Sequence, residues 1–151
     1  MLKKSVLVGA PFGLLMLMAS SAQAWETQCN KERCGVSISV DDAEKKQHLL
    51  TLSILRDRSG ANPGMVLTTP LGVGLEPGAR ILVSGQEIKL PFKVCYPNGC
   101  QAFATLTPES LSTLRLAQEL EVQFFIQTMD KPTAAKIDLA GLAEALDKPI
   151  E

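Results

Sequence analysis

Residues 36–40 read Val-Ser-Ile-Ser-Val, and residues 50–54 read Leu-Thr-Leu-Ser-Ile. In both stretches apolar and polar side chains alternate with a period of two, which is typical of a β-strand with one buried face. Asp41 and Asp42 follow the first stretch and indicate a charged turn before the second. A pair of half-buried strands is therefore the first element that the sequence predicts.

The same alternation recurs along the rest of the chain. Further apolar rows lie within residues 65–69, 81–83, 88–94, 120–126 and 135–139. Thr107-Pro108-Glu109 combines an N-cap, a first-turn proline and an acid, and therefore predicts a helix start; a second short helix is expected from Gly141 to Leu146. About eight amphipathic strands predict a mainly β protein, an antiparallel β-sandwich. Pro91 has no N–H group, so the 88–94 strand is expected at a sheet edge.

Residues 1–24 have the three parts of an export signal peptide. Lys3 and Lys4 give a positive start, residues 5–18 are mostly apolar, and Ala22-Gln23-Ala24 suits a signal peptidase. The apolar stretch is shorter than the roughly 20 residues of a membrane-spanning helix. We therefore expect cleavage after Ala24, a single mature domain at 25–151, and no membrane span in the mature chain.

The four cysteines form two identical spacings, Cys29 with Cys34 and Cys95 with Cys100. An exported chain meets an oxidising compartment, which favours disulfides over a metal site, although the spacing alone does not exclude a metal. A redox-active pair normally has the spacing Cys-x-x-Cys, which neither pair has. Of the three possible pairings we predict the two local ones. Tyr-Pro-Asn-Gly at 96–99 favours chain reversal and brings its flanking cysteines within the roughly 4.4–6.8 Å Cα separation of a disulfide. A bridge between the two halves would stabilise more, by about 4 kcal/mol against about 2.

Charge and composition exclude several classes of function. Without residues 1–24 the chain has 127 residues and a formal charge of 13 − 16 = −3, which argues against a nucleic-acid partner. It contains one histidine, His48, and no Gly-x-Ser-x-Gly motif, so we predict no catalytic site. His48 is expected at a strand end with a polar partner. We predict neither a cofactor nor a metal.

Three further features have structural explanations. Gly72, Gly74 and Gly78 lack the following helix of a nucleotide-binding loop and predict a turn. The acidic residues at 41–44 lack the spacing of a calcium loop and predict a solvated turn. Trp25, Tyr96 and Phe125 are candidates for exposed aromatic contacts. Phe125 lies on the parity opposite to its apolar neighbours, so it packs under a short helix, which we favour, or marks a partner surface.

Three blocks resemble a known family. They are Pro-Leu-Gly-Val-Gly-Leu-Glu-Pro-Gly at 70–78, Leu-Pro-Phe-Lys-Val-Cys-Tyr-Pro-Asn-Gly-Cys-Gln-Ala at 90–102, and Ile-Asp-Leu-Ala-Gly-Leu-Ala-Glu-Ala-Leu at 137–146, with Trp25 four residues before Cys29. In this order they resemble the invasion-associated locus B family of exported bacterial proteins. The resemblance implies an immunoglobulin-like β-sandwich, secreted across the inner membrane of a Gram-negative bacterium. It implies a role in host-cell invasion and no catalytic residues.

From the residues and this resemblance together we expect a periplasmic or secreted protein that is not an enzyme. It would bind an unidentified protein or envelope partner through its surface. Two alternatives remain. One is an envelope structural or chaperone-like protein that adds a strand at an open sheet edge. The other is an enzyme with an unrecognised site, which would require a deep polar pocket with converging titratable groups.

Overall fold

The structure is a computed structural model and describes residues 24–60 and 63–150. The predicted signal peptide, apart from Ala24, lies outside the described residues. Within them the chain forms ten strands and two helices. These are β1 (Glu26–Cys29), β2 (Arg33–Asp42), β3 (Gln47–Asp57), β4 (Gly64–Thr69), β5 (Ala79–Val83), β6 (Gln86–Leu90), β7 (Phe92–Tyr96), β8 (Gly99–Thr105), α1 (Pro108–Leu116), β9 (Glu119–Phe124), β10 (Thr133–Asp138) and α2 (Leu142–Leu146).

The strands form two antiparallel sheets. The larger has the order β1-β2-β3-β4-β8-β7, and the smaller has the order β10-β9-β5-β6. Residues 36–40 and 50–54 are neighbours in the larger sheet, where Val36 lies opposite Ile54 and Val40 opposite Leu50. The predicted antiparallel strand pair is confirmed.

The core lies between the sheets and consists of the predicted apolar rows. Val36, Ile38 and Val40 of β2 are buried, as are the alternating positions of β3. The matching row of the smaller sheet is Leu120, Val122 and Phe124 of β9. Each buried side chain of this size contributes about 1.5–3 kcal/mol, and together they hold the sheets face to face. The predicted mainly β sandwich with two short helices is confirmed.

Pro91 divides what the sequence predicted as one strand. β6 ends at Leu90 in the smaller sheet, and β7 begins at Phe92 in the larger one. The alternation continues across the bend, because a single proline changes the strand direction without changing which side chains face inward. Both strands lie at the edge of their sheets, so the edge prediction is confirmed although the single strand was wrong.

The count of about eight strands was also too low because β1 and β8 were missed. β1 consists of Glu-Thr-Gln-Cys and is too short and polar to show alternation. β8 does alternate, but its buried positions are the small residues Cys100 and Ala102, whose apolar signal is weak.

The two helices follow their predicted signals. Thr107 Oγ1 accepts a hydrogen bond from the Ser110 N–H at 3.1 Å and caps α1, and Pro108 lies in the first turn. α1 buries Leu114, and α2 buries Leu142 and Leu146. Within residues 24–60 and 63–150 neither helix is long and apolar enough to cross a bilayer.

The strand directions divide the turns between two ends of the sandwich. Both helices, the β1–β2 turn and the residues after β3 lie at one end. The turns that follow β2, β4, β7 and β9 lie at the other.

Candidate functional site

Each predicted cysteine pair closes a hairpin. Cys29 faces Cys34 across β1 and β2 with sulfur atoms 1.87 Å apart, and Cys95 faces Cys100 across β7 and β8 with sulfur atoms 1.99 Å apart. The Cα separations are 4.0 and 3.9 Å, shorter than the range expected from the turn sequence. The two bridges lie at opposite ends of the larger sheet, so each pins one hairpin and neither joins the two sheets.

The two sequence blocks at 70–78 and 90–102 pack against each other. Gly99 has a φ of 146°, and a Cβ on it would collide with the carbonyl oxygen of Thr69, just before the first block. Gly78 has a φ of 66°, and a Cβ on it would lie 3.1 Å from the carbonyl oxygen of Leu90. Both positions therefore require glycine for close backbone approach. As predicted, the glycines at 72–78 form a turn that leads into a strand.

A third segment, residues 125–129, completes this end. The N–H of Gly74 donates to the carbonyl of Phe125 at 2.8 Å, and the N–H of Gln127 donates to the carbonyl of Gly72 at 2.8 Å. Val73 and Ile126 form a bridge between them. The loop after β4 and the loop after β9 are therefore held side by side by backbone hydrogen bonds, which fixes the surface that they present.

Large apolar side chains are exposed on this surface, among charged residues such as Glu76 and Lys131. Of the five large apolar side chains that are more than half exposed in the described residues, four lie here: Leu71, Leu75, Tyr96 and Met129. We call these four residues the apolar end. The fifth, Leu116 on α1, lies at the opposite end of the sandwich and is 82% exposed. Four such side chains on one small domain are typical of a contact surface.

The aromatic candidates from the sequence have different environments. Tyr96 belongs to the apolar end, whereas Trp25 packs against the core and its Nε1 donates to the carbonyl of Asp138 at 3.2 Å. Phe125 follows β9 directly, is half-buried, and packs beside Gly74 of the loop after β4. It does not pack under a helix, which was the alternative that we favoured. Leu71, Leu75 and Met129 were missed. For Leu71 and Leu75 the available signal of exposure was their position among prolines and glycines in a turn-rich block.

His48 joins a chain of polar side chains on the outer face of the larger sheet. Its Nδ1 lies 3.4 Å from Asp41 Oδ1, and its Nε2 lies 3.1 Å from Thr51 Oγ1. Thr51 Oγ1 in turn lies 3.1 Å from Ser39 Oγ. The predicted polar partner of His48 is confirmed, and the order acid–histidine–hydroxyl is that of a nucleophilic triad.

The surroundings of this chain do not favour nucleophilic catalysis. Thr51 lies in β3 between β2 and β4, opposite Ser39 on one side and Thr68 on the other. The backbone groups of a central strand bond to both neighbouring strands, so they offer no pair of free N–H groups for an oxyanion. The His48 and Asp41 side chains are 47% and 74% exposed, so water screens their interaction.

The predicted solvated turn at 41–44 has local hydrogen bonds. The Asp42 carboxylate accepts from the backbone N–H groups of Lys45 and Glu44, at 3.0 and 2.9 Å. These bonds, led by that from Lys45, hold the pKa of Asp42 below its ordinary value. No group of three side chains that could hold a metal is found among the described residues.

A groove of about 590 Å³ lies between α1, the starts of β9 and α2, and the end of β10. Two of the ionisable side chains that line it form ion pairs with neighbours. Arg115 pairs with Asp147 at 2.7 Å, and Glu119 pairs with Lys136 at 3.0 Å. The hydrogen bond that Lys136 Nζ donates to the Glu119 carboxylate raises the pKa of Lys136. These groups form separate surface pairs and do not converge on one point in the groove.

Comparison with known proteins gives consistent results. Residues 21–149 match the family described as "Invasion associated locus B (IalB) protein". Two "Invasion protein B homolog" proteins of Brucella abortus, from strain 2308 and from biovar 1 strain 9-941, are each 28% identical over 131 residues, which cover 83% of this chain and 75% of the relative. The crystal structure of invasion associated protein B from Bartonella henselae has a TM-score of 0.71, with 19% identity, and covers 85% of this chain and 92% of that one.

The family match spans nearly all the described residues and includes the three sequence blocks that carried the resemblance. The sandwich, with its two hairpin disulfides, has the same fold as the Bartonella protein. The chain therefore belongs to the invasion-associated locus B family.

Proposed function

We propose that this chain is an exported, non-catalytic binding protein that contacts a partner protein through its apolar end. The observation that carries the proposal is the exposure of Leu71, Leu75, Tyr96 and Met129 at one end of the sandwich. Leu71, Leu75 and Met129 lie on two loops that backbone hydrogen bonds hold together, and Tyr96 ends β7 beside them. Exposed aromatic and aliphatic side chains on a fixed backbone lose little entropy on binding, so they suit a contact surface.

Export is part of the proposal. The sequence of residues 1–24 supports cleavage after Ala24 and a single mature domain at 25–151, located in the periplasm or secreted. Two disulfides fit an oxidising compartment outside the cytoplasm. The relatives are named invasion proteins, which supports a role in contact with a host cell and a partner in the envelope or on that cell.

The chaperone-like alternative has less support because three of the four edge strands in the described residues are short, irregular or covered at one end. β7 begins directly after Pro91 and carries a register shift between Phe92 and Val94. β1 has four residues and ends in a disulfide. The end of β10 is covered by Trp25, whose indole donates to Asp138. Each of these features discourages the addition of a further strand.

The test is a photoreactive amino acid placed at Tyr96 and, as a matched control, at Leu116, the exposed apolar residue of the opposite end. In intact cells we expect a discrete crosslinked species from position 96 that position 116 does not give. The double substitution Leu71→Asp, Leu75→Asp should abolish that species while the protein remains folded. Equal crosslinking from both positions, or crosslinking unaffected by the double substitution, would overturn the proposal.

A further inference from the structure

The end of the sandwich opposite the apolar end carries a concentration of positive charge. The β1–β2 turn, the end of β3 and the C-terminal tail bring five cations together: Lys31, Arg33, Arg56, Arg58 and Lys148. We call these five residues the basic end. Two acids, Glu32 and Asp57, lie among them, so the cluster carries 5 − 2 = +3. With a formal charge of −3 for residues 25–151, the remainder carries −6.

Backbone carbonyls hold two of these cations in place. Arg58 Nε donates to the carbonyl of Lys31 at 2.5 Å, and the Arg58 backbone N–H donates to the carbonyl of Glu32 at 3.2 Å. Arg56 Nη2 donates to the carbonyl of Lys148 at 2.8 Å. These bonds tie the hairpin and the tail to β3 without neutralising either guanidinium.

Acidic side chains leave most of this charge uncompensated. None of the ion pairs within 4 Å that the structure records in its described part includes a member of the basic end. The Asp57 carboxylate accepts from the Ser59 hydroxyl at 2.6 Å and from the Gly60 N–H at 2.9 Å, and it also attracts Arg33, its cross-strand neighbour. The Arg56 Nε donor is buried and has no hydrogen-bond acceptor among residues 24–60 and 63–150.

Two clefts combine these charges with apolar walls. One, of about 570 Å³, lies between the β1–β2 turn and the tail, and Lys31, Lys148 and Pro149 line it. The other, of about 250 Å³, is lined by Arg33, Arg56 and Leu55 together with Asp57 and Gly64. Cations beside apolar surface suit a phosphate ester that carries apolar chains better than they suit a fully polar sulfated sugar.

We propose that the basic end binds the phosphate headgroups of an anionic lipid surface. The planar guanidinium forks of Arg33, Arg56 and Arg58 match phosphate oxygens, and the lysines add charge attraction. The protein would lie with its basic end on the lipid and its apolar end directed away. This surface is separate from the one proposed for the partner protein.

The test is flotation of the purified exported protein with vesicles of phosphatidylglycerol and phosphatidylcholine, and with pure phosphatidylcholine vesicles. The variant combines Lys31→Gln, Arg33→Gln and Lys148→Gln, which retains the anchoring residues Arg56 and Arg58. The matched control combines Lys45→Gln, Lys46→Gln and Lys131→Gln at the opposite end, with the same change in net charge. At about 1 kcal/mol per cation, the first variant should bind anionic vesicles about 100-fold more weakly, and the control should match the wild type.

High salt should release the wild-type protein from anionic vesicles. Equal binding to pure phosphatidylcholine, or equal weakening in both triple variants, would contradict the proposal. Retention on a heparin column without vesicle binding would also overturn it, since the partner would then be a sulfated glycan. The crosslinking test of the apolar end does not depend on any of these results.

Discussion

The two disulfide hairpins have the same spacing and the same registration, but their surroundings differ. The Cys95–Cys100 hairpin encloses an uncharged turn, and its Gly99 is buried against Thr69 of β4. The Cys29–Cys34 hairpin encloses Asn-Lys-Glu-Arg, which is exposed to solvent and held from below by Arg58. The same kind of disulfide hairpin therefore has a different role at each end. At one end it fixes an apolar surface to the fold, and at the other it presents charged side chains.

The largest expected difference between the ends is their tolerance of a methyl group on a turn glycine. Gly99→Ala should destabilise the fold by about 3 kcal/mol, because it combines an unfavourable φ with a collision against backbone. Gly60→Ala, at the basic end, is the matched control: its φ is 63° but no atom of the described residues lies within 4 Å of the added carbon, so about 1 kcal/mol is expected. Urea denaturation measures the free energy of unfolding of both variants. Equal losses of stability would refute the claim that the Gly99 hairpin is packed into the fold.

Removing a bridge should have the next largest effect. Paired substitution of Cys29 and Cys34 by alanine, or of Cys95 and Cys100, should each cost about 2 kcal/mol, since both loops are short and of equal length. Thermal denaturation of the oxidised proteins measures this.

The pairing itself is tested by peptide mapping without reductant, after cleavage between Cys34 and Cys95. We expect the two halves of the chain to separate. Halves that stay linked by a disulfide would show that the bridges cross the sandwich.

A smaller effect concerns the carboxylates in the turns at the two ends. Hydrogen bonds hold the pKa of Asp42 and that of Asp57 below the ordinary value, from Lys45 and Glu44 N–H groups in the first case and chiefly from the Ser59 hydroxyl in the second. A lowered folded-state pKa gives stability that is present above the unfolded pKa and is lost as the pH falls through the folded one. Asp42→Asn and Asp57→Asn should therefore be less stable than wild type at neutral pH, with a difference that disappears in strong acid. A difference that grows towards acid would have the wrong sign.

The smallest effect is expected at His48. Its bonds to Asp41 and Thr51 are exposed, so His48→Ala should change stability by less than about 0.5 kcal/mol and leave partner crosslinking from Tyr96 intact. Loss of biological activity in a His48→Ala protein that still folds would support the enzyme alternative instead.

The sequence predicted most of the fold because β2, β3 and β9 alternate strongly, and because Thr107 and Pro108 carry capping chemistry in adjacent residues. The alternation did not reveal β8, because its inward side chains are small. β6 and β7 were predicted as one strand, because the alternation of apolar residues continues where the chain passes from one sheet to the other. Gly99 and Thr69 meet through packing between distant segments, which local patterns do not encode.

The surfaces were harder to predict than the fold. The net charge of the chain is negative and does not indicate the basic end. Arg56 and Arg58 are 23 or more residues from Arg33 in sequence, and only strand pairing makes them neighbours. The apolar end requires that the loops after β4, β7 and β9 lie together, and this follows from topology. The cysteine pairs were accessible because each closes a turn that its own residues favour.

The most direct test of two ends with two partners is to apply both disruptive variants to both assays. We predict that Leu71→Asp with Leu75→Asp abolishes crosslinking from Tyr96 and leaves binding to phosphatidylglycerol vesicles unchanged. The Lys31→Gln, Arg33→Gln, Lys148→Gln variant should weaken vesicle binding by the purified protein and leave crosslinking from Tyr96 in intact cells unchanged. Loss of both activities in either folded variant, or of neither in both, would contradict the separation of function between the ends.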